Sequence, residues 1–263
     1  MTVLPSVVPP LPRRSPFSRQ IPARAAFGWL AAGWHDLRPK PAASLAYGFV
    51  VFLISAVLVL GLFVFGWDYI LFPALAGFMV VGPVLAIGLY EKSRRLAEGE
   101  PVSFARMVFV RPRSGGQILI TGLVLCLLML IWVRAAVIIY ALFFGMLPFP
   151  GLAHIVPMLF TTPLGWTMLV VGSGVGALFA AFSFAISALS IPRLLEEPID
   201  ALTAMGTSLA LVWHNLPAML LWGAIVLAMF LASLATGLLG LIVAFPVLGH
   251  GTWHAYRAFY PQQ

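Results

Sequence analysis

Charge is scarce in this chain. Only 9% of its 263 residues are Asp, Glu, Lys or Arg, whereas 62% are hydrophobic. An ordinary soluble domain, which fills one core and solvates its surface, carries about 25% charged residues, so this composition describes an integral membrane protein. Cysteine is nearly absent as well. Cys126 stands alone inside an apolar run, which excludes a disulfide framework and a thiolate metal cluster. Acidic residues number eight, and none falls inside an apolar run long enough to span a bilayer. A relay of buried carboxylates, common in ion-coupled pumps, therefore has no candidates there. The connections at 66–69, 148–163 and 236–238 contain no Lys or Arg.

The apolar runs are long. A bilayer core of ~30 Å needs about twenty residues of helix. Six runs qualify: Ala43–Phe65, Tyr69–Tyr90, Gln117–Leu142, Gly165–Ile191, Leu216–Thr236 and Leu239–Ala258, the last two divided at Gly237 and Gly240. The expected fold is all-α and polytopic, six transmembrane helices forming one transmembrane domain over 23–263. Residues 1–22 read as a disordered basic tail, because prolines at 5, 9, 10 and 12 break any signal-peptide helix.

The net charge of +7 comes from cations that cluster. Arg13, Arg14, Arg19, Arg24, Arg38 and Lys40 precede the first run, and Lys92, Arg94, Arg95, Arg106, Arg111 and Arg113 fill one connection. With an even number of spans both groups fall on one side, which the positive-inside rule makes cytoplasmic. A bacterial inner-membrane protein with both termini in the cytoplasm is expected, and the charge requires no nucleic acid. Lys92, Arg94 and Arg95 are expected to meet anionic lipid heads. Arg134, about 25 Å along its helix from Gln117, is expected to snorkel to the opposite interface or to contact a ligand.

A repeated pattern groups the spans in pairs. "WHDL" at Trp34–Leu37 precedes the first span and "WHNL" at Trp213–Leu216 the fifth, while "PVLAIGLY" at Pro83–Tyr90 and "PVLGHGTW" at Pro246–Trp253 end the second and sixth. Pro192 occupies the looser equivalent after the fourth. Each pair follows a segment with helical apolar spacing: Phe27, Leu30, Trp34 and Leu37; Phe104, Met107 and Val108; Ile199, Leu202, Met205, Leu209 and Val212. The predicted unit is an interfacial amphipathic helix followed by a transmembrane hairpin, used three times. Gly172, Gly176, Ala180, Ser183 and Ser187 form one small-residue face for close helix packing.

His250 and His254 lie about 40° apart around a helix and some 6 Å along it, near enough to share a metal ion. His214 and His35 are expected at the same membrane face and complete a candidate metal set. The competing reading makes His250 and His254 part of an interfacial belt with Trp253, Tyr256 and Arg257. Glu196, Glu197 and Asp200 read as dipole complements at a helix start.

The stretches Gly77–Pro101, Gly249–Phe259 and "GWHDLRP" resemble a bacterial family of predicted integral membrane proteins of unknown function, some members of which are labelled cytochrome c oxidase subunits. The resemblance runs from about Gly33 to Phe259. It implies an uncharacterised multi-pass protein and carries over no catalytic or cofactor-binding residues. A catalytic oxidase subunit would hold its histidines toward the outer half of the bilayer, which conflicts with the inner-edge positions here. The expected role is that of a non-catalytic protein, not an enzyme, packing against membrane lipids, partner helices or further copies of itself, and a respiratory accessory or assembly factor in particular. The alternatives are a small-molecule transporter or channel, and a haem- or copper-binding factor; otherwise no cofactor is expected.

Overall fold

The computed structural model describes residues 15–145 and 149–260, so the proposed tail lies outside the described residues up to position 14. Helices account for most of the chain, and the described residues contain no strand. In order they are α1 (Ala25–Leu37), α2 (Pro41–Val64), α3 (Leu71–Leu85), α4 (Ile87–Ala97), α5 (Phe104–Val108), α6 (Gly115–Phe144), α7 (Leu152–Thr161), α8 (Pro163–Ser187), α9 (Ser190–Glu196), α10 (Ala201–His214), α11 (Leu216–Ala235) and α12 (Leu241–Phe259).

Local chemistry explains the boundaries. Pro41 and Pro163 sit in first turns, where a missing N–H costs nothing. Thr162 caps α8 by accepting from the Gly165 N–H at 3.0 Å, and Asp200 caps α10 by accepting from the Thr203 N–H at 2.8 Å. That backbone bond holds the exposed Asp200 carboxyl below its usual pKa. Pro83 interrupts the hydrogen-bond ladder, and the backbone bends at Ala86 between α3 and α4. The turn between α11 and α12 uses Gly237 as expected, but Leu238 rather than Gly240 takes the second positive φ.

Five helical runs are long and apolar enough to cross a bilayer: Pro41–Val64, Asp68–Ala97, Gly115–Phe144, Pro163–Glu196 and Leu216–Ala235. The sixth predicted span, α12, differs in kind. It contains Pro246, His250, His254 and Arg257, and α1, α2, α4 and α11 pack around it. Enclosure by protein removes the requirement that its surface be apolar. Two glycines allow the close crossings. A Cβ on Gly33 would strike the backbone of Val247 and Gly251, and one on Gly48 would strike the Ile242 carbonyl and the Pro246 ring.

The three-unit pattern is visible in the packing. The first helix of each unit lies on the last helices of the unit before it: α5 on α4, α10 on α8 and α9, and α1 on α12, which closes the cycle. The first spans follow the same rule twice, with α2 against α12 and α6 against α3. The third equivalent contact, α11 against α8, opens into a cleft. The two helices approach near the basic end, where a Cβ on Gly223 would lie 3.9 Å from the Phe184 ring.

The faces of the unit-leading helices differ from expectation. On α1 the buried residues are Ala26, Trp29, Gly33, Asp36 and Leu37, whereas Phe27 and Trp34 are exposed. On α10 they are Ala201, Ala204, Met205, Ser208, Leu211 and Val212, whereas Leu202 is exposed. In α5 only Met107 is buried. Small residues such as Ala26, Gly33 and Ala204 permit close approach; among the large apolar residues Trp29, Leu37, Met107, Met205, Leu211 and Val212 face protein, whereas Phe27, Trp34 and Leu202 face outward where lipid can solvate them.

Candidate functional site: a buried polar junction and an apolar cleft

At the basic end of the bundle, α1, α2, α4 and α12 meet around six polar side chains: Asp36, Ser44, Lys92, Ser93, His250 and His254. Lys92 and His250 are each 0% exposed. Lys92 Nζ donates to Ser44 Oγ at 2.8 Å and reaches the Leu37 carbonyl at 3.5 Å, at the negative end of α1. His250 lies between two hydroxyls, with Ser44 Oγ 3.0 Å from Nε2 and Ser93 Oγ 2.8 Å from Nδ1. His254 Nε2 lies 2.8 Å from Asp36 Oδ2, and the Ser93 hydroxyl stands near the same carboxylate.

Donor arithmetic orders the chain. An ammonium only donates, so the Ser44 hydroxyl is free to donate onward to His250 Nε2. The neutral imidazole then carries its proton on Nδ1 and donates to Ser93 Oγ, which leaves the Ser93 hydrogen free to orient toward the nearby Asp36 carboxylate. Asp36 accepts from His254 on its other side. Burial pushes the Asp36 carboxyl upward, but the bonds from His254 and Ser93 outweigh it and hold the pKa below its usual value. The arrangement pairs a buried cation with a buried anion through oriented hydroxyls and one imidazole, joining four helices.

The candidate residues read from the sequence therefore separate. His250 and His254 do share a helix face, but each is already hydrogen-bonded, and both ring nitrogens of His250 are occupied. His35 is exposed, its Nδ1 3.9 Å from Asp36 Oδ1, and His214 uses Nδ1 on its own Ala210 carbonyl at 2.8 Å. Among the described residues no three His, Cys, Asp or Glu side chains are placed to share a metal ion. Lys92 points inward and does not reach lipid heads. Arg94 and Arg95 are engaged by the buried Glu91, at 2.9 and 2.6 Å, and by Glu98 and Glu100 at 2.8 and 2.6 Å. Arg134 is exposed on α6. Glu196 accepts from the Tyr256 hydroxyl at 2.8 Å, and Glu197 pairs with Arg193 at 2.8 Å.

Ser44, Ser93 and Asp36 are functional members that sequence reasoning missed. The available signal was Asp36 within the repeated "WHDL", whose counterpart Asn215 is also buried and bonded to backbone. Ser44, at the start of an apolar helix, and Ser93, within the charged run of α4, gave no distinguishing pattern.

The second feature is the cleft between α8 and α11, a cavity of about 1390 Å³. Gly172, Gly176 and Ala180 of α8 line one wall and Gly223, Ala224 and Leu227 of α11 the other. Its floor comes from α3 and α12, where the Phe78 and Phe245 rings meet at 6.0 Å. No ionisable acid or base lines it among the described residues apart from tyrosine phenols, and Arg134 stands outside it. Of the small-residue face expected on α8, Gly172 and Ala180 look into the cleft, Gly176 also receives the Trp132 ring, and Ser183 and Ser187 are buried.

These features belong to a polytopic all-α membrane protein. Residues 71–196 match a family model described as predicted integral membrane protein (DUF2189), which covers the second span through the fourth. No curated protein and no solved structure matches the chain.

Proposed function

We propose that the protein is a non-catalytic accessory protein of the bacterial inner membrane that receives a transmembrane helix of a partner in the α8–α11 cleft. The observation that carries this reading is the one open interface in a cycle whose two equivalents are packed. Both walls present small residues to the gap, the surface that lets a helix backbone approach closely when packing is the driving force in lipid. The concentration of arginines at one end supports cytoplasmic termini. The resemblance to a family with some members labelled cytochrome c oxidase subunits makes a respiratory complex the first partner to test. The apolar lining, with Arg134 outside it, weighs against a pathway for a polar solute.

The test places a photo-crosslinking amino acid at Leu220 or Leu227 in native membranes and identifies adducts by mass spectrometry. An adduct with a membrane-spanning segment of a respiratory subunit, lost in Gly223→Leu, is expected. Adducts with lipid alone, together with unchanged oxidase levels on deletion, would overturn the reading.

A further inference from the structure

A separate basin of about 940 Å³ opens at the basic end between the C-terminal part of α12, the end of α9, the α5–α6 connection and the N-terminal segment. Five arginines line it: Arg19, Arg94, Arg111, Arg113 and Arg257. Three glutamates also line it, and each already has a guanidinium: Glu98 with Arg94 at 2.8 Å, Glu196 with Arg257 at 3.3 Å, and Glu197 with Arg193 at 2.8 Å. Arg19, Arg111 and Arg113 have no carboxylate side chain within 4.0 Å among the described residues. The residues outside that set contain no Asp or Glu.

The segments that bear these three arginines are fixed by long-range bonds. The Arg113 and Ser114 N–H groups donate to the carbonyls of Leu195 and Leu194 at 3.2 and 3.1 Å. Ser114 Oγ donates to the Glu197 carbonyl at 2.8 Å and accepts from the Ile199 N–H at 3.0 Å. On the other side, the buried Asn215 accepts from the Arg19 N–H at 3.0 Å and donates to the Phe17 carbonyl at 2.9 Å. Three arginines with no carboxylate side chain within 4.0 Å among the described residues are thus carried to one cavity by anchored backbone. An anion with several oxygens satisfies that geometry, and phosphate does so best because planar guanidinium forks engage it bidentately.

We infer that this basin binds a phosphate group, with Arg19, Arg111 and Arg113 as its ligands. The group arrives either on an anionic lipid head or on a soluble phosphate compound; both present the same oxygens. Two arms distinguish them. In one, the full chain is extracted from bilayers of phosphatidylcholine with a minor fraction of phosphatidylglycerol or cardiolipin, and retained lipid is counted by native mass spectrometry. In the other, inorganic phosphate is titrated against the chain in neutral detergent and the melting shift is followed. Each arm compares Arg19→Gln/Arg111→Gln/Arg113→Gln with Arg24→Gln/Arg38→Gln/Arg106→Gln, which removes equal charge from exposed positions elsewhere on the same end. Asn215→Ala serves as a second probe by releasing the Arg19 segment while keeping every charge.

Loss of binding by tenfold or more in the basin variant, with less than a twofold change in the control, supports the site in whichever arm it occurs and names the source. Equal loss in both triple variants, or no binding in either arm, overturns it. All six substituted arginines are exposed, so the variants are expected to melt with the parent in the absence of ligand.

Discussion

Ser93→Ala breaks the polar junction in a calculable way. It strands the Nδ1–H of His250 inside a fully buried environment. An unsatisfied buried neutral group costs roughly 1–3 kcal/mol, so the substitution should cost about 1–3 kcal/mol. In a His250→Leu background the stranded imidazole is gone, and Ser93→Ala should cost little. The coupling between Ser93 and His250 should therefore be about 1–2 kcal/mol, above the ~0.6 kcal/mol average for side-chain bonds between membrane helices. The cycle is read from reversible unfolding in mixed micelles of the parent, both single variants and the double variant. Additivity within about 0.5 kcal/mol would refute the ordering of the chain through the imidazole.

Other outcomes follow from the same geometry. Asp36 has a folded pKa below its unfolded value, so its contribution is fully present above about pH 4 and is lost as pH falls through the folded pKa. Melting of the parent between pH 6 and 3 should fall only at the acid end, and Asp36→Asn should remove that component. Gly48→Ala should destabilise by about 1–3 kcal/mol because its Cβ meets the α12 backbone, while Gly172→Ala, with open space around it, should be neutral or stabilising by up to about 1 kcal/mol in the same assay. Reporter fusions at Gly99 and after Tyr260 should report the same side of the membrane, and opposite sides would break the topology.

Much of the fold was legible because apolar runs of bilayer length leave little choice. The limits of α2, α6 and α11 lie within two residues of the predicted spans. The doubled motifs grouped the spans in pairs, and the packing of α1 on α12, α5 on α4 and α10 on α8 and α9 is compatible with that grouping. Helix faces were legible in part: Leu37, Met107, Met205 and Val212 are buried as their spacing implied, whereas Phe27, Trp34 and Leu202 point outward, where lipid solvates them, and Ala26 and Ala204 are buried. The junction was half legible. His250, His254 and Lys92 stood out as ionisable groups, but Asp36 and Ser44 come from two other helices and Ser93, beside Lys92, carries no pattern of its own, so spacing alone cannot bring them together. The cleft could not be read at all, since it is the gap between two helices that each look like an ordinary span.

The most direct test of the account concerns that gap. In a Cys126→Ala background, Gly77→Cys/Met129→Cys joins α3 and α6 across a packed interface, and Gly172→Cys/Leu227→Cys spans the cleft between α8 and α11. In native membranes under mild oxidation the first pair should form a disulfide readily and the second should not. Equally fast crosslinking of both pairs would mean that the third interface is closed, contradicting the open cycle.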